Sequence, residues 1–232
     1  MTKFLAVAGK GGVGKTISAI NLASALNNYG RNVVLVDASI KSPHIALHLG
    51  ALKIKNTMHD ALLGTKKIRD CAYSHVSGLY VIPGSLSPEK QDAAQTENIK
   101  KHLAQLEGCC ELVIMDTGND AADFENVMSA AHELLIVTTP DLPSVAEALK
   151  IISKARAKGI TVAGAVVNRI RGLSSEMGMQ NIQSMLGVPV ISEIEEDRSV
   201  PESLVTRHPV VYSHPDSSAS EGFKLLARKL IG

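Results

Sequence analysis

Seven short apolar segments recur along this chain of 232 residues and alternate with longer segments of helical pattern. Several of the seven are nearly continuous runs of Val, Ile and Leu, which is typical of strands buried on both faces in a parallel sheet. The alternation predicts an α/β fold in which a doubly wound, mostly parallel sheet carries helices on both faces. The predicted strands span residues 3–9, 32–38, 79–84, 111–118, 133–140, 161–168 and 189–194.

Helices are predicted directly after the first strand, over residues 15–30, then over residues 144–159, and again at the end of the chain. Gly30 and Gly159 stand where the first two should end, because glycine readily takes the left-handed conformation of a helix C-terminus. No linker, repeat or low-complexity tract is evident, so residues 1–232 are predicted to form a single domain. Ligands of such sheets bind beyond the carboxyl ends of the strands, and the turns after the first, second, fourth and sixth strands are expected to share one site.

Composition narrows the classes of function. Lys and Arg number 24 against 23 Asp and Glu, a net charge of +1, so the overall charge gives no specific nucleic-acid signal. Aromatic residues are 3% of the chain and Trp is absent, which disfavours base-stacking platforms. Cys71, Cys109 and Cys110 form no C-x-x-C pair and argue against a disulfide framework or a zinc site. No apolar run has the length of a membrane span, and a cytoplasmic location is expected.

The segment GKGGVGKT, residues 9–16, satisfies two phosphate-loop patterns. Its glycines fit the dinucleotide pattern G-x-G-x-x-G, and the whole octapeptide fits the triphosphate pattern G-x-x-x-x-G-K-T. Lys15 favours the triphosphate, because a lysine in the first turn of a helix is unfavourable by ~0.3–1 kcal/mol unless it faces an anion. Backbone N–H groups of the loop should surround the β-phosphate while Lys15 neutralises β and γ oxygens. The predicted nucleotide-binding residues here are Gly11, Gly12, Val13, Gly14, Lys15, Thr16 and Ile17.

Thr16 and Asp116 are the predicted Mg²⁺ ligands. The Thr16 hydroxyl would complete a coordination shell that is otherwise mostly water and phosphate. Asp116 ends the buried run LVIMD and takes the place of a Walker B carboxylate, which holds the metal through water. Alternatively, Asp116 could cap the turn that follows its strand. The apolar run before Asp116 favours the metal role.

With these residues in place, the sequence resembles the MinD/ParA family of deviant Walker A P-loop ATPases, and the order and spacing of its motifs are most similar to MinD-type proteins of archaea. KGGVGKT resembles the family's Walker A loop, and VLVDASIKSPHIALHLG resembles its switch I region. GAVVNRI resembles the adenine-binding segment, and EEDRSVPESLVTRHPVV the last shared loop. The resemblance runs nearly from end to end.

The resemblance implies binding of ATP or ADP with Mg²⁺ and an ATP-dependent sandwich homodimer, whose interface would be isologous. It assigns Lys10, which neither loop pattern requires, to the phosphates of the partner protomer, so that Lys10 and Lys15 are both candidate catalytic residues. Asn168 matches the position that contacts the adenine edge, although an isolated Asn at a strand end is more often a turn former. The implied function is recruitment of an unidentified protein partner for spatial positioning, as in cell division.

Two departures from the family pattern bear on hydrolysis. MinD-type switch I carries a second Asp two residues after Asp37, where this chain has Ser39. A hydroxyl cannot replace a carboxylate base near neutral pH, and loss of a general base costs ~10²–10⁴ in rate, so slow Mg²⁺-dependent ATP hydrolysis is predicted. The second departure is DTGND at residues 116–120, where MinD proteins usually have D-x-P-A-G. Asp120, four residues after Asp116, is the candidate catalytic substitute, by resemblance to the second switch II Asp of the nitrogenase iron protein. The alternative is that Asp120 is the N-cap of a helix over residues 121–131.

The sequence is also consistent with two other functions. A non-hydrolysing, ATP-bound dimer scaffold is consistent with Ser39. A metal-cofactor maturation ATPase would present paired cysteines at its dimer interface, but Cys109 and Cys110 precede a core strand and are poorly spaced for this.

Two surface features have less specific patterns. The C-terminal segment EGFKLLARKLIG is amphipathic, which suits core packing or a peripheral membrane helix, and core packing is favoured. His44 and His48 have the i, i+4 spacing of metal ligands on a helix, but no third ligand is evident. They are expected to be exposed polar residues near switch I.

Overall fold

The computed structural model describes residues 1–231, apart from the side chains of residues 121–123, and this part of the chain contains an eight-stranded sheet. Across the sheet the strands follow the order β3-β4-β2-β5-β1-β6-β7-β8, and all neighbours are parallel except β3 and β4. The strands are β1 (Lys3–Ala8), β2 (Val33–Ala38), β3 (Tyr73–Ser74), β4 (Tyr80–Ile82), β5 (Leu112–Thr117), β6 (Glu133–Thr138), β7 (Thr161–Ile170) and β8 (Val190–Glu195).

Helices connect the strands. Short 3-10 helices lie at Ile68–Cys71, Thr96–Asn98 and Ala104–Leu106. The α-helices of the described chain are α1 (Lys15–Asn28), α2 (Ile45–His48), α3 (Met58–Leu62), α4 (Pro88–Ala93), α5 (Ile99–Leu103), α6 (Ala121–Ala130), α7 (Leu142–Ala157), α8 (Met179–Leu186), α9 (Ser199–Thr206), α10 (Val210–Ser213) and α11 (Ser218–Ile231).

The sheet is buried on both faces. Along β1, the side chains of Phe4, Ala6 and Ala8 join one apolar cluster, and those of Leu5 and Val7 join a second cluster on the opposite face. The first cluster also contains side chains of α3, α5, α6, α7 and α8, and the second contains those of α1, α10 and α11. The predicted doubly wound fold is confirmed, and burial on both faces explains why the strands read as continuous apolar runs.

All seven predicted strands are present, with differences at their ends. The strand predicted over residues 161–168 continues to Ile170, through Arg169, which has a φ of 59°. Helix α1 ends before Gly30, whose φ is 77°, as predicted. Helix α7 starts two residues before the predicted position, because the Asp141 side chain caps it by accepting a hydrogen bond from the Ser144 N–H at 2.9 Å.

Helix α11 packs on the core. Phe223, Leu226 and Ala227 are fully buried, and Leu230 and Ile231 pack against the same cluster. Core packing of the amphipathic segment is therefore confirmed as far as the structure describes it, since its last residue lies outside the described residues. Within residues 1–231, no helix combines the length and the apolar character that a membrane span requires.

Candidate functional site

The loop between β1 and α1 requires glycine at two positions. A Cβ on Gly9 would lie 2.1 Å from the Val137 carbonyl oxygen, so that only glycine fits against β6. Gly14 has a φ of 95°, and a Cβ there would lie 2.3 Å from Nδ2 of Asn168. Helix α1 begins immediately afterwards, so its first N–H groups, which have no partner within the helix, point toward the loop. This is a ready anion-binding geometry.

Lys15 is a buried cation at this helix N-terminus. Its side chain is buried, and Nζ donates hydrogen bonds to the Lys10 carbonyl oxygen at 3.1 Å and to Oδ1 of Asn119 at 2.6 Å. Burial lowers the pKa of Lys15, partly opposed by the nearby carboxylate of Asp116, which raises it. The first turn of α1 contains no acidic residue. Among the described residues, the hydrogen-bond acceptors of this ammonium group are neutral, and the group fits a bound phosphate.

Asp116 lies at the carboxyl end of β5, next to the start of α1. Oδ2 of Asp116 accepts a hydrogen bond from the Thr16 hydroxyl at 2.6 Å, while its Oδ1 is buried and has no partner among the described residues. Burial raises the pKa of Asp116 to about 6, against the lowering effects of the Thr16 hydrogen bond and the Lys15 charge. A carboxylate and a hydroxyl side by side are the hard oxygen ligands that Mg²⁺ prefers, so this pair fits the predicted metal.

Asp37 is paired with Asp116 in the register of β2 and β5, and it organises the loop that follows β2. Its Oδ1 accepts the Ser39 N–H at 3.2 Å and its Oδ2 accepts the Ile45 N–H at 3.0 Å. Burial raises the pKa of Asp37 well above its usual range, and the Asp116 charge raises it further. Asp37 therefore holds the start of α2 beside the loop. This arrangement buries the carboxyl groups of Asp37 and Asp116 close together, which is electrostatically unfavourable.

The raised pKa of Asp116 makes a prediction about stability. Because the folded-state pKa is above the unfolded value, the contribution of Asp116 to stability is fully present below about pH 4 and is lost as the pH rises through about 6. Asp116→Asn should therefore stabilise the nucleotide-free protein at pH 8, by at most about 3 kcal/mol and on the order of 5 °C in melting temperature.

Thermal melts in EDTA between pH 5 and pH 8 check this prediction. Asp92→Asn, at an exposed carboxylate, is the matched control and should follow the wild type. Parallel melting curves for wild type and Asp116→Asn across this pH range would show that the buried carboxyl does not carry the effect.

Two cavities meet at the loop. The first, of about 220 Å³, is lined by the phosphate-binding loop and by residues from the turns after β2 and β5, including Ser39 and Gly118. The second, of about 370 Å³, is lined by Asn168, Pro201 and Phe223, among others. Here they are called the phosphate-side and base-side cavities. Residues after β1, β2 and β5 line them, so three of the four predicted turns meet here. From β7 the lining residues are Asn168 and Arg169, which lie inside the strand and not in the turn after it.

Asn168 lies within β7, two residues before its end, rather than at the predicted strand end. It is buried, and its Nδ2 donates a hydrogen bond to the Val13 carbonyl oxygen at 2.8 Å. The amide therefore fixes the loop while its remaining hydrogen-bonding groups stay available to a ligand in the base-side cavity.

Comparison with known proteins decides the family. Residues 4–210 match the model of the CobQ/CobB/MinD/ParA nucleotide binding domain. The chain belongs to this family. An uncharacterised ATP-binding protein of Methanocaldococcus jannaschii is 35% identical over 225 residues, which cover 97% of this chain and 85% of that protein. The septum site-determining protein MinD of Synechocystis is 31% identical over 232 residues, 97% of this chain and 87% of MinD.

A solved structure agrees with this family. MinD of Pyrococcus horikoshii, in complex with Mg-ADP, matches the fold with a TM-score of 0.95 at 26% identity, covering 99% of this chain and 96% of that chain. The predicted membership of the MinD/ParA family is confirmed, and this protein is MinD-like. The Mg-ADP in the Pyrococcus protein agrees with the cofactors that the sequence predicts.

Lys10 is not among the described residues that line the phosphate-side cavity. Lys10 is exposed, and it lies with Lys150 and Lys154 around a separate surface depression beside the loop. Lys15, by contrast, lines the phosphate-side cavity. The placement of Lys10 is compatible with a role toward a second protomer, which stays a prediction.

Asp120 is not among the described residues that line the phosphate-side cavity, whereas its neighbour Asn119 is. Asp120 directly precedes α6, and its carbonyl oxygen accepts the Phe124 N–H at 3.0 Å, as expected of a residue at the helix start. Its catalytic role stays a prediction. Asn119 was not predicted from the sequence, because its contact with Lys15 joins residues 104 positions apart.

The histidine pair also differs from expectation. His44 is exposed as predicted, but His48 is half-buried, and both line the phosphate-side cavity. Burial, with a smaller electrostatic contribution from His44, lowers the pKa of His48 to about 4. The prediction that His48 is an exposed residue is wrong, because α2 is held against the loop by Asp37. The i, i+4 spacing of His44 and His48 was the sequence pattern that drew attention to His48, although that spacing suggested a metal site.

Proposed function

We propose that this MinD-like protein binds Mg-ATP at the P-loop, pairs as a sandwich homodimer in the ATP state and recruits a protein partner while hydrolysing ATP slowly. One observation carries the nucleotide assignment: at the N-terminus of α1 the buried Lys15 lines the phosphate-side cavity beside Thr16, whose hydroxyl donates to Asp116, a carboxyl group with one oxygen that has no partner among the described residues. The septum site-determining relatives suggest positioning in cell division as the process.

Different residues of the cleft would bind the phosphates, the metal ion and the base. Loop N–H groups from Gly11 to Ile17 and the Lys15 ammonium would hold the phosphates. Thr16 and Asp116 would hold Mg²⁺, which supplies charge neutralisation at the phosphate oxygens. Asn168 would contact the adenine edge.

Slow hydrolysis is supported by the lining of the phosphate-side cavity. No carboxylate occurs among the described residues that line it. Ser39 takes the place of the family's second switch I Asp, and its Oγ donates a hydrogen bond to the Ser42 carbonyl oxygen at 2.8 Å. The hydroxyl is thus engaged within its own turn. The same observation favours a second candidate, a non-hydrolysing ATP-bound scaffold, which would retain intact ATP through purification.

The proposed dimer is tested through Lys10. Light scattering coupled to gel filtration should show a dimer with Mg-ATP and a monomer with Mg-ADP for the wild type. Lys10→Ala should keep its ATP affinity within a few-fold and stay monomeric, because the missing charge acts on the partner's phosphates. Lys66→Ala, at an exposed lysine away from the loop, is the control and should dimerise. ATP-dependent dimers of Lys10→Ala equal to those of wild type would refute the role of Lys10.

A further inference from the structure

The phosphate-side and base-side cavities share four lining residues, Gly14, Ile17, His48 and Arg169. A nucleotide that placed its phosphates in one cavity and its base in the other would set its sugar at this junction. Gly14 offers only backbone there and Ile17 an apolar side chain. His48 and Arg169 are therefore the junction residues whose side chains can form hydrogen bonds.

His48 lines both cavities, and one nitrogen of its imidazole has no hydrogen-bond partner among the described residues. It is the last residue of α2, is half-buried, and its Nδ1 is buried without a hydrogen-bond partner among the described residues. A buried nitrogen without a partner is unfavourable. Because its pKa is lowered to about 4, the ring is uncharged near pH 7 and carries one donor and one acceptor nitrogen.

We propose that the His48 imidazole hydrogen-bonds a ribose hydroxyl of the bound nucleotide, so that the site selects ribonucleotides over deoxyribonucleotides. The inference rests on the proposed nucleotide function and names a specificity residue within that site. A hydroxyl both donates and accepts, so it satisfies a neutral imidazole in either tautomer. Charged side chains are assigned to the phosphates, and the Asn168 amide is assigned to the base. Among the described junction residues, His48 is the uncharged side chain that remains as a hydrogen-bond partner for the sugar.

The test compares the affinities of ATP, 2′-deoxyATP and 3′-deoxyATP, each with Mg²⁺, by calorimetry at pH 7.5. Wild type should bind ATP about 3- to 10-fold more tightly than one of the deoxynucleotides, the range that one neutral hydrogen bond supports. His48→Leu should bind ATP and that deoxynucleotide with equal affinity. Its affinity for the deoxynucleotide should equal the wild-type affinity for the same deoxynucleotide. His48→Gln, which restores an amide, should recover part of the preference.

His44→Leu is the matched control, since His44 lines the phosphate-side cavity but not the base-side cavity. It should keep the wild-type sugar preference. Unchanged affinity of His48→Leu for the deoxynucleotide shows that the cleft still folds. Equal wild-type affinity for all three nucleotides, or an undiminished preference in His48→Leu, would overturn the inference while leaving the proposed function in place. Failure of wild type to bind any of the three would refute both.

Discussion

Lys15→Ala is expected to lower the affinity for Mg-ATP by at least about 100-fold without destabilising the nucleotide-free protein. Charge-assisted hydrogen bonds contribute ~1.5–3 kcal/mol each, and Lys15 is the buried cation of the loop. In the nucleotide-free state the same ammonium is desolvated and lies at the positive end of α1, which is unfavourable by ~0.3–1 kcal/mol. Removing it should therefore leave the melting temperature unchanged or slightly raised.

Calorimetric titration with Mg-ATP and a thermal melt without nucleotide measure the two effects of Lys15→Ala separately. Lys66→Ala controls for the general loss of a positive charge and should bind as wild type does. If Lys15→Ala bound ATP within threefold of wild type, Lys15 would not contact the phosphates. A large fall in melting temperature would instead indicate a structural role for its hydrogen bonds to Asn119 and the Lys10 carbonyl.

Ser39→Asp is expected to raise the rate of ATP hydrolysis by ~10²-fold or more, within the range that a general base supplies. Ser39 is 4% exposed and lines the phosphate-side cavity. A carboxylate there would be well placed for the attacking water. It would also be the third carboxyl group beside Asp37 and Asp116, so the faster variant should be less stable without Mg-ATP.

Two control variants distinguish the effect of a general base at position 39 from the loss of the Ser39 hydrogen bond and from the added negative charge. Ser39→Ala removes the hydrogen bond to the Ser42 carbonyl without adding a base and should hydrolyse ATP at the wild-type rate. Ser42→Asp places the same charge elsewhere in the cavity lining and should gain little. Wild-type turnover at ~1 s⁻¹ or faster, unchanged in Ser39→Asp, would show that another group serves as the base, and Asp120→Asn would then be the variant to test.

The sheet was predictable from the sequence, because its strands are buried on both faces and read as uninterrupted apolar runs. The exception is β3, since its two residues, Tyr73 and Ser74, are too short for a pattern and pair only at the edge of the sheet. The short helices between β2 and β5 were likewise missed. They are each too short to show a helical period, and tertiary packing forms them.

The phosphate-binding loop was predictable because its residues are contiguous and its chemistry is specific. The remaining parts of the site depend on contacts between distant segments. Asn119 follows β5, which neighbours β1 in the sheet, so it meets Lys15 from a segment 104 residues away in sequence. Nothing local distinguishes it from a turn former. His48 was noticed for its spacing, but its burial and lost charge follow from the position of α2 against the cleft.

A crystal structure of the protein with Mg²⁺ and a non-hydrolysable ATP analogue tests the central claim most directly. We predict the triphosphate in the loop with Lys15 at its β and γ oxygens, the metal at Thr16, and adenine in the base-side cavity beside Asn168. Two protomers should face each other, each with Lys10 at the partner's phosphates. An analogue bound outside the loop, or one whose base and phosphates lay in cavities other than these, would contradict the account.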